Sequence, residues 1–219
     1  MNILFLHAHY EKKSFNSALK DLAVEHFESK GHTVKVKDLY EMNFNPVPAR
    51  SDFKTQVNTE YFSYLKEQMH AFLNDSFSDE IKAEMDDVLW ADMLVFNFPL
   101  WWSTTPAILK GWLDKVLAIG FSYHPRDKHY ETGILKGKKA FCCVTCGGSE
   151  EAYSKSGEHG DILDILHHLN HGTLNYCGIS VYPPFLSWRA HLMPPEVLEK
   201  YLADYKIYLE NLDKTEFLY

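Results

Sequence analysis

Apolar and polar positions alternate between two periods along the chain, and that alternation outlines the elements. Ile3 to Leu6 is a short, wholly apolar run, as expected for a strand covered on both faces. Ser14 stands as an N-cap, and Phe15, Ala18, Leu19, Leu22, Ala23 and Phe27 recur at helical spacing until Gly31 stops the run. Thr33 to Lys37 reads as a second strand, and this β-α-β opening implies a parallel pair with a right-handed crossover. Asp79 to Trp90 is predicted helical with Ile81, Met85, Val88 and Leu89 facing inward, and Met93 to Phe98 is the third strand. A helix over Ile108 to Leu117 and a fourth strand over Lys139 to Thr145 follow. Asp161 caps a helix running through Leu169, Ile179 to Tyr182 is the fifth strand, and an amphipathic helix spans about 195–212. The segment at about 43–76 is aromatic and irregular, with a helix expected near Tyr61–Phe72.

Five strands alternating with helices define an α/β protein: one doubly wound, five-stranded parallel sheet with helices on both faces, as a single domain over 1–219 with an excursion at 43–76. In such a sheet ligands bind at the carboxyl ends of the strands, where the strand order reverses. The loops after strands one, three and four are therefore the places to look for chemistry.

The first of these is residues 7–16, HAHYEKKSFN. A helix beginning near Ser14 points unpaired N–H groups and the positive end of its dipole at the loop, which suits an anion, and Lys12 and Lys13 stand beside it. The same residues also fit an ordinary N-cap with two solvated lysines. Neither GxGxxG nor GxxxxGK[ST] occurs here, so both familiar phosphate-binding fingerprints are absent. The second loop, FPLWWSTTP, sets two tryptophans between Pro99 and Pro106 where a strand hands over to a helix, an arrangement suited to a ligand wall. In the third, Gly147 and Gly148 let the backbone approach a flat ligand, and Tyr153 and His159 follow in a long loop. Together the loops ask for a flat ligand that carries phosphate.

Composition narrows the partners. The 219 residues carry 30 acidic and 22 basic side chains, a net charge of −8 that argues against nucleic acid or an anionic membrane surface as a general partner. No apolar run of about 18 residues occurs, so membrane insertion is not expected. Three of the four cysteines (142, 143 and 146) lie in or beside one strand, which points to free thiols and a cytoplasmic setting rather than a disulfide framework.

Six stretches, taken in order, resemble the FAD-dependent NAD(P)H:quinone oxidoreductase (DT-diaphorase) family of the flavodoxin-like superfamily. They are H-x(4)-SFN at 9–16, DLYEMNFNP at 38–46, FPLWW at 98–102, PAILKGW at 106–112, the GGS-x(3)-YS-x(2)-G-x-HGD run at 147–161, and HGTL-x-YCG at 171–178. The resemblance covers about residues 2–212. It implies a homodimer holding FAD, with FMN the less favoured flavin, and ping-pong transfer of two electrons from NAD(P)H as co-substrate to a quinone. A flavin-binding subunit ancillary to a transporter and a one-electron flavodoxin-type carrier are the alternatives.

Carried over by position, the resemblance assigns His9, Ser14, Phe15, Asn16 and Ala18 to the phosphates and their neighbourhood. Pro99, Leu100, Trp101 and Trp102, with Thr145, Cys146, Gly147 and Gly148, would line the flavin. Asp114 would lie near the adenine end, and Tyr153 and His159 would be the catalytic pair. Trp102, Ser103, Tyr123, Tyr176 and His191 would shape the substrate side. Trp101 and Ser103 depart from the family's glutamine and aromatic residue, Pro125 from a tyrosine, and Val197 from an arginine beside the adenosine. His171 matches a metal ligand known in one branch, but Asn175 does not and no late cysteine exists, so no metal is expected.

Overall fold

A computed structural model describes all 219 residues. The strands β1 (Asn2–His7), β2 (Thr33–Asp38), β3 (Met93–Pro99), β4 (Lys139–Cys146), β5 (Ser180–Val181) and β6 (Phe185–Trp188) form one parallel sheet in the order β2-β1-β3-β4-β5, with β6 also paired to β4. The order reverses between β1 and β3, which makes that gap the topological switch point. The helices are α1 (Phe15–Ser29), α2 (Tyr64–Asn74), α3 (Asp79–Trp90), α4 (Ala107–Val116), α5 (Ile162–Ile165), α6 (His167–Leu169) and α7 (Pro195–Asn211).

The strict two-residue alternation of strand side chains divides the interior in two. Ile3, Phe5, Met93, Val95, Phe141 and Cys143 face α1 and α7, where Leu19, Ala23, Phe27, Tyr205 and Leu209 meet them. Leu4, Leu6, Leu94, Phe96, Phe98 and Val144 face the other way, into the layer built by α3, α4 and the excursion. That second layer holds 35 buried apolar residues against 14 on the α1 side, so most of the burial energy lies there.

Three expectations from the pattern are corrected by the packing. Leu89 is 55% exposed: it stands about 80° round α3 from Ile81, beyond the buried stripe of Ile81, Met85 and Val88. The fifth strand is split, because Pro183 and Pro184 lack the N–H groups that pairing needs. β5 pairs with Lys139–Ala140 and β6 with Cys143–Cys146, so both halves lie along the same edge of β4. The run from Asp161 is likewise not one helix; it passes from α5 to α6 and then into a π-helical turn over Asn170–Asn175.

The excursion is ordered by buried charge. Lys115, on α4 and 1% exposed, sets its Nζ 2.9 Å from Asp52 Oδ1 and donates to the Asn45 carbonyl at 2.8 Å. Asp52 Oδ2 also accepts from Tyr64 Oη and from the Ala49 amide, each at 2.9 Å. α4 reaches this close because residue 111 is glycine; a Cβ there would sit 2.2 Å from the Pro46 carbonyl oxygen. The expected helix is present as α2, starting three residues later than Tyr61.

A buried ion pair stripped of one partner leaves a charge without compensation, at a cost of about 3–5 kcal/mol. Lys115→Met is therefore expected to lower the unfolding free energy by about that much in urea titration. A loss below about 1 kcal/mol would show that the pair does not hold the excursion in place.

Candidate functional site

A cleft of about 630 Å³ opens over the carboxyl ends of β1, β3 and β4, at the switch point. His9, Tyr10, Lys13, Ser14, Phe15 and Asn16 line it from the first loop, Pro99, Leu100 and Trp101 from the second, and Thr145, Cys146 and Gly147 from the third. Ala190, His191 and Leu198 close its far side. The sequence reading missed Tyr10, Glu11, Ala190 and Leu198. The last two reach the cleft through the connection from β6 to α7, and β6 itself was hidden behind the proline pair.

The first loop is built as a donor surface. Ser14 caps α1, its Oγ accepting from the Ser17 amide at 3.1 Å, so the first-turn amides are left facing the loop. Asn16 is 2% exposed and accepts from Thr145 Oγ1 at 2.8 Å, bridging the first and third loops; its Nδ2 is buried with no partner at all. Such a donor costs free energy unless an acceptor reaches it. His9 Nδ1 accepts from the Glu11 amide at 3.0 Å, which places the proton of the neutral ring on Nε2. Burial lowers the His9 pKa, so the ring is a neutral donor. Of the two lysines only Lys13 lines the cleft; Lys12 is turned to Glu41 at 2.9 Å. Ala18 sits inside the first turn of α1, its amide donating to the Ser14 carbonyl at 3.1 Å, and does not line the cleft.

In the second loop Trp101 and Thr104 exchange both backbone hydrogen bonds at 3.0 Å, which makes Trp102 and Ser103 the centre of a tight turn. Both have positive φ, 50° and 58°, a conformation that costs a side-chain-bearing residue about 1–2 kcal/mol. Trp102 is 99% exposed and lies outside the cleft lining.

In the third loop burial pushes the Cys146 thiol up to about 12, so it is an inert wall. A Cβ on Gly147 would meet nothing, whereas one on Gly148 would lie 2.9 Å from Tyr153 Cε2 and 3.4 Å from His159 Cδ2. The two glycines thus serve different ends: Gly147 keeps the cleft floor open and Gly148 makes room for the Tyr153–His159 pair behind it. Those two rings lie 4.8 Å apart at 50°, and Tyr153 stacks on Trp188 at 5.7 Å. They touch through ring faces, with no hydrogen bond between them. Burial raises the Tyr153 pKa, which keeps its hydroxyl protonated.

Asp114, Tyr123 and Tyr176 lie elsewhere. They line a second cavity of about 470 Å³ with Leu65, Gln68 and Thr105, and it shares no lining residue with the first. Asp114 is salt-bridged to Lys110 there, and Tyr123 packs edge-on against Tyr176 at 5.3 Å. His171 stacks on His167 at 4.6 Å, and no group of three or more metal-binding side chains is assembled.

A parallel sheet of this order, with a glycine-floored cleft at its switch point, defines a doubly wound α/β protein whose cleft lies where such sheets take their ligands. Residues 1–209 match the family described as having a flavodoxin-like fold, and the chain belongs to that family. It is 40% identical over 215 residues to the ribosyldihydronicotinamide dehydrogenase (quinone) of Mus musculus, covering 98% of this chain and 93% of that one. It is 42% identical over 214 residues to NAD(P)H dehydrogenase (quinone) 1 of Cavia porcellus, covering 97% and 78% respectively. The crystal structure of a candidate quinone reductase from Klebsiella pneumoniae matches with a TM-score of 0.95 at 37% identity, over 100% of this chain and 87% of that one. No helix is long and apolar enough to cross a membrane.

The histidines give the fold a pH signature. Burial, before any other cause, lowers the pKa of His7, His9, His26 and His32. A histidine that is neutral when folded takes up its proton on unfolding once the pH drops below about 6.5, so acid favours the unfolded chain. Stability is expected to be full above pH 7 and to fall as the pH passes down through 6.5, with His7 contributing up to about 1.4 kcal/mol per pH unit. Urea midpoints between pH 7.5 and 5.5 measure this, and His7→Gln should flatten the slope; an unchanged slope would remove His7 from the account.

Proposed function

We propose that the chain is an NAD(P)H:quinone oxidoreductase that holds FAD, in preference to FMN, in the cleft at the switch point and works as a homodimer. The observation that carries this reading is Asn16: a buried side-chain donor with no partner, in the cleft wall beside a helix N-terminus, in a chain related over nearly its whole length to quinone dehydrogenases. The residues fit a flavin nucleotide. Ser14, Asn16, His9 and Lys13 offer hydroxyl, amide, imidazole and ammonium donors to its phosphates, and Gly147 leaves open the space a flat ring needs. When bound, the flavin supplies reversible acceptance of a hydride.

NAD(P)H and the quinone would use one slot in turn, in ping-pong order. The chain's own part is to bind, to shield and to manage charge. Tyr153 offers a hydroxyl kept protonated by burial, and His159 lies against its ring as a group able to become cationic. The two-copy state is supported by where the remaining assigned residues lie. Asp114, Tyr123 and Tyr176 stand round a separate cavity whose lining includes the exposed Leu65. A second copy presenting that surface to the cleft would bring them to the flavin and cover Trp102.

Purified protein should release FAD on denaturation, sediment as a dimer, and reduce menadione with NADH or NADPH. No pyridine-nucleotide-dependent reduction would refute the activity; FMN alone would refute the FAD assignment, and a monomer the two-copy site. For the catalytic pair, Tyr153→Phe and His159→Gln should each slow flavin reduction by about tenfold in stopped flow, which corresponds to about 1.4 kcal/mol. The double variant should be little slower than the slower single one, because groups acting together are non-additive. Unaltered rates in both single variants would leave the pair as ordinary loop residues.

A further inference from the structure

β1 ends on His7, which is 1% exposed and has no part in the function proposed above. Its Nδ1 lies 2.8 Å from Asn97 Oδ1, at the paired position on β3. An amide oxygen only accepts, so Nδ1 carries a proton, and burial holds the ring neutral with a lone pair on Nε2. That lone pair lies 3.3 Å from Ser17 Oγ. Ser17, itself 4% exposed, is a hub: its single hydroxyl proton is shared between His7 Nε2 at 3.3 Å and the Glu11 carbonyl at 3.1 Å, its Oγ lies 3.0 Å from Ser14 Oγ, and its amide donates to Ser14 Oγ at 3.1 Å. One hydroxyl thus gathers the last residue of β1, the path of the first loop and the cap of α1. Asn97 extends the tie across the switch point to β3.

We infer that His7 is a positioning residue for the anion cradle: through Ser17 it fixes the Ser14 cap and the Glu11 carbonyl, and so the set of donors that Ser14 and Asn16 present to a ligand phosphate. The placement supports this beyond simple packing. A buried imidazole and amide at the ends of the apolar runs Ile3–Leu6 and Met93–Phe96 are costly, and an apolar pair would fill the same space more cheaply. The polar pair stands at the one register where the sheet meets the loop that must hold an anion. Asn16, the neighbour of Ser17, is buried in the cleft wall with its Nδ2 unpartnered, so the cradle has a donor directed at no protein group.

The inference rests on the cleft being the phosphate site of the proposed function, and the test separates the two. Titration calorimetry of the full-length chain, freed of flavin, would use FAD and, separately, inorganic pyrophosphate. His7→Gln restores both contacts, with Oε1 accepting from Ser17 and Nε2 donating to Asn97; His7→Leu keeps the bulk and removes both. Positioning predicts that His7→Leu weakens both ligands by about tenfold, the size of one lost hydrogen bond's worth of binding. His7→Gln should then stay within about twofold of the native chain. Packing alone predicts the reverse order, with leucine harmless and glutamine costly. Ser17→Ala, which leaves the buried His7–Asn97 pair intact and so protects the fold, should match His7→Leu, and the two together should be no worse than either. His7→Leu binding within twofold of the native chain, or His7→Gln binding as poorly as His7→Leu, would overturn the inference. If pyrophosphate binds with the expected order and FAD does not bind, the flavin reading falls and the positioning role stands. If neither ligand binds, the cradle and the inference fall together.

Discussion

Three adjacent strands set the terms for everything else in this molecule. β1, β3 and β4 are buried on both faces, so their backbone groups must be satisfied by one another, and a parallel ladder does this only along the paired length. Past the ladder's carboxyl end the chain must find other partners. Ala8 N donates back to the Asn97 carbonyl and Leu100 N to the Thr145 carbonyl, each one residue beyond the strand it leaves. The loops that follow are thereby pinned at their roots and free at their tips. Since the strand order reverses between β1 and β3, the connections leave toward opposite faces there and open the cleft between them.

Several of the polar groups that enter this apolar frame fasten segments that the hydrophobic pattern alone would leave loose. Lys115 and Asp52 tie the excursion to α4. Glu84, 2% exposed, takes the Trp112 indole N–H at 2.9 Å and Lys37 at 2.8 Å, which joins α3, α4 and β2. Glu67 accepts from the Val57 amide at 2.8 Å and holds the excursion's entry against α2. A buried charge is seldom a net gain over a well-packed apolar pair. What such groups supply is a single geometry for chain that has little apolar periodicity of its own. The excursion therefore owes its shape to a handful of charged side chains as well as to the aromatic residues, Phe44 and Phe53 among them, that it buries in the core.

This explains how far the sequence could be read. Elements with strict periods were legible almost to the residue: β1, α1, α3, β3 and β4 lie where the apolar alternation places them, and Ser14 and Asp161 cap the helices they precede. What failed were features set by contacts distant in sequence. Nothing local shows that Lys115 meets Asp52, or that Phe185–Trp188 rejoins β4 after two prolines. Within the cleft, the three loops after β1, β3 and β4 were legible from the fold, with Ser14, Pro99 and Gly147 in them, whereas Asn16 and Thr145 came only with the resemblance. The roles of the glycine pair were not, because only the positions of Tyr153 and His159 distinguish Gly147 from Gly148.

The second loop carries the argument beyond a single chain. Trp102 combines two costs that a lone subunit has no reason to bear: a left-handed backbone at a residue with a large side chain, and an indole in water over 99% of its surface. The Trp101–Thr104 bridge enforces the turn and so fixes the direction in which the Trp102 Cα–Cβ bond leaves the backbone. Large apolar surface held outward by a strained turn is an anchor waiting for a partner surface, and aromatic anchors contribute strongly when such a surface desolvates them. The second cavity shows the complementary condition: a half-apolar hollow, with exposed Leu65 at its rim and buried Thr105 Oγ1 without a partner. A strained, exposed tryptophan beside one cleft and an apolar hollow elsewhere fit the proposed dimer, in which each copy would complete the other's site. In the proposed dimer the strain at Trp102 is offset by burial at the interface, so assembly and completion of the flavin site become one event.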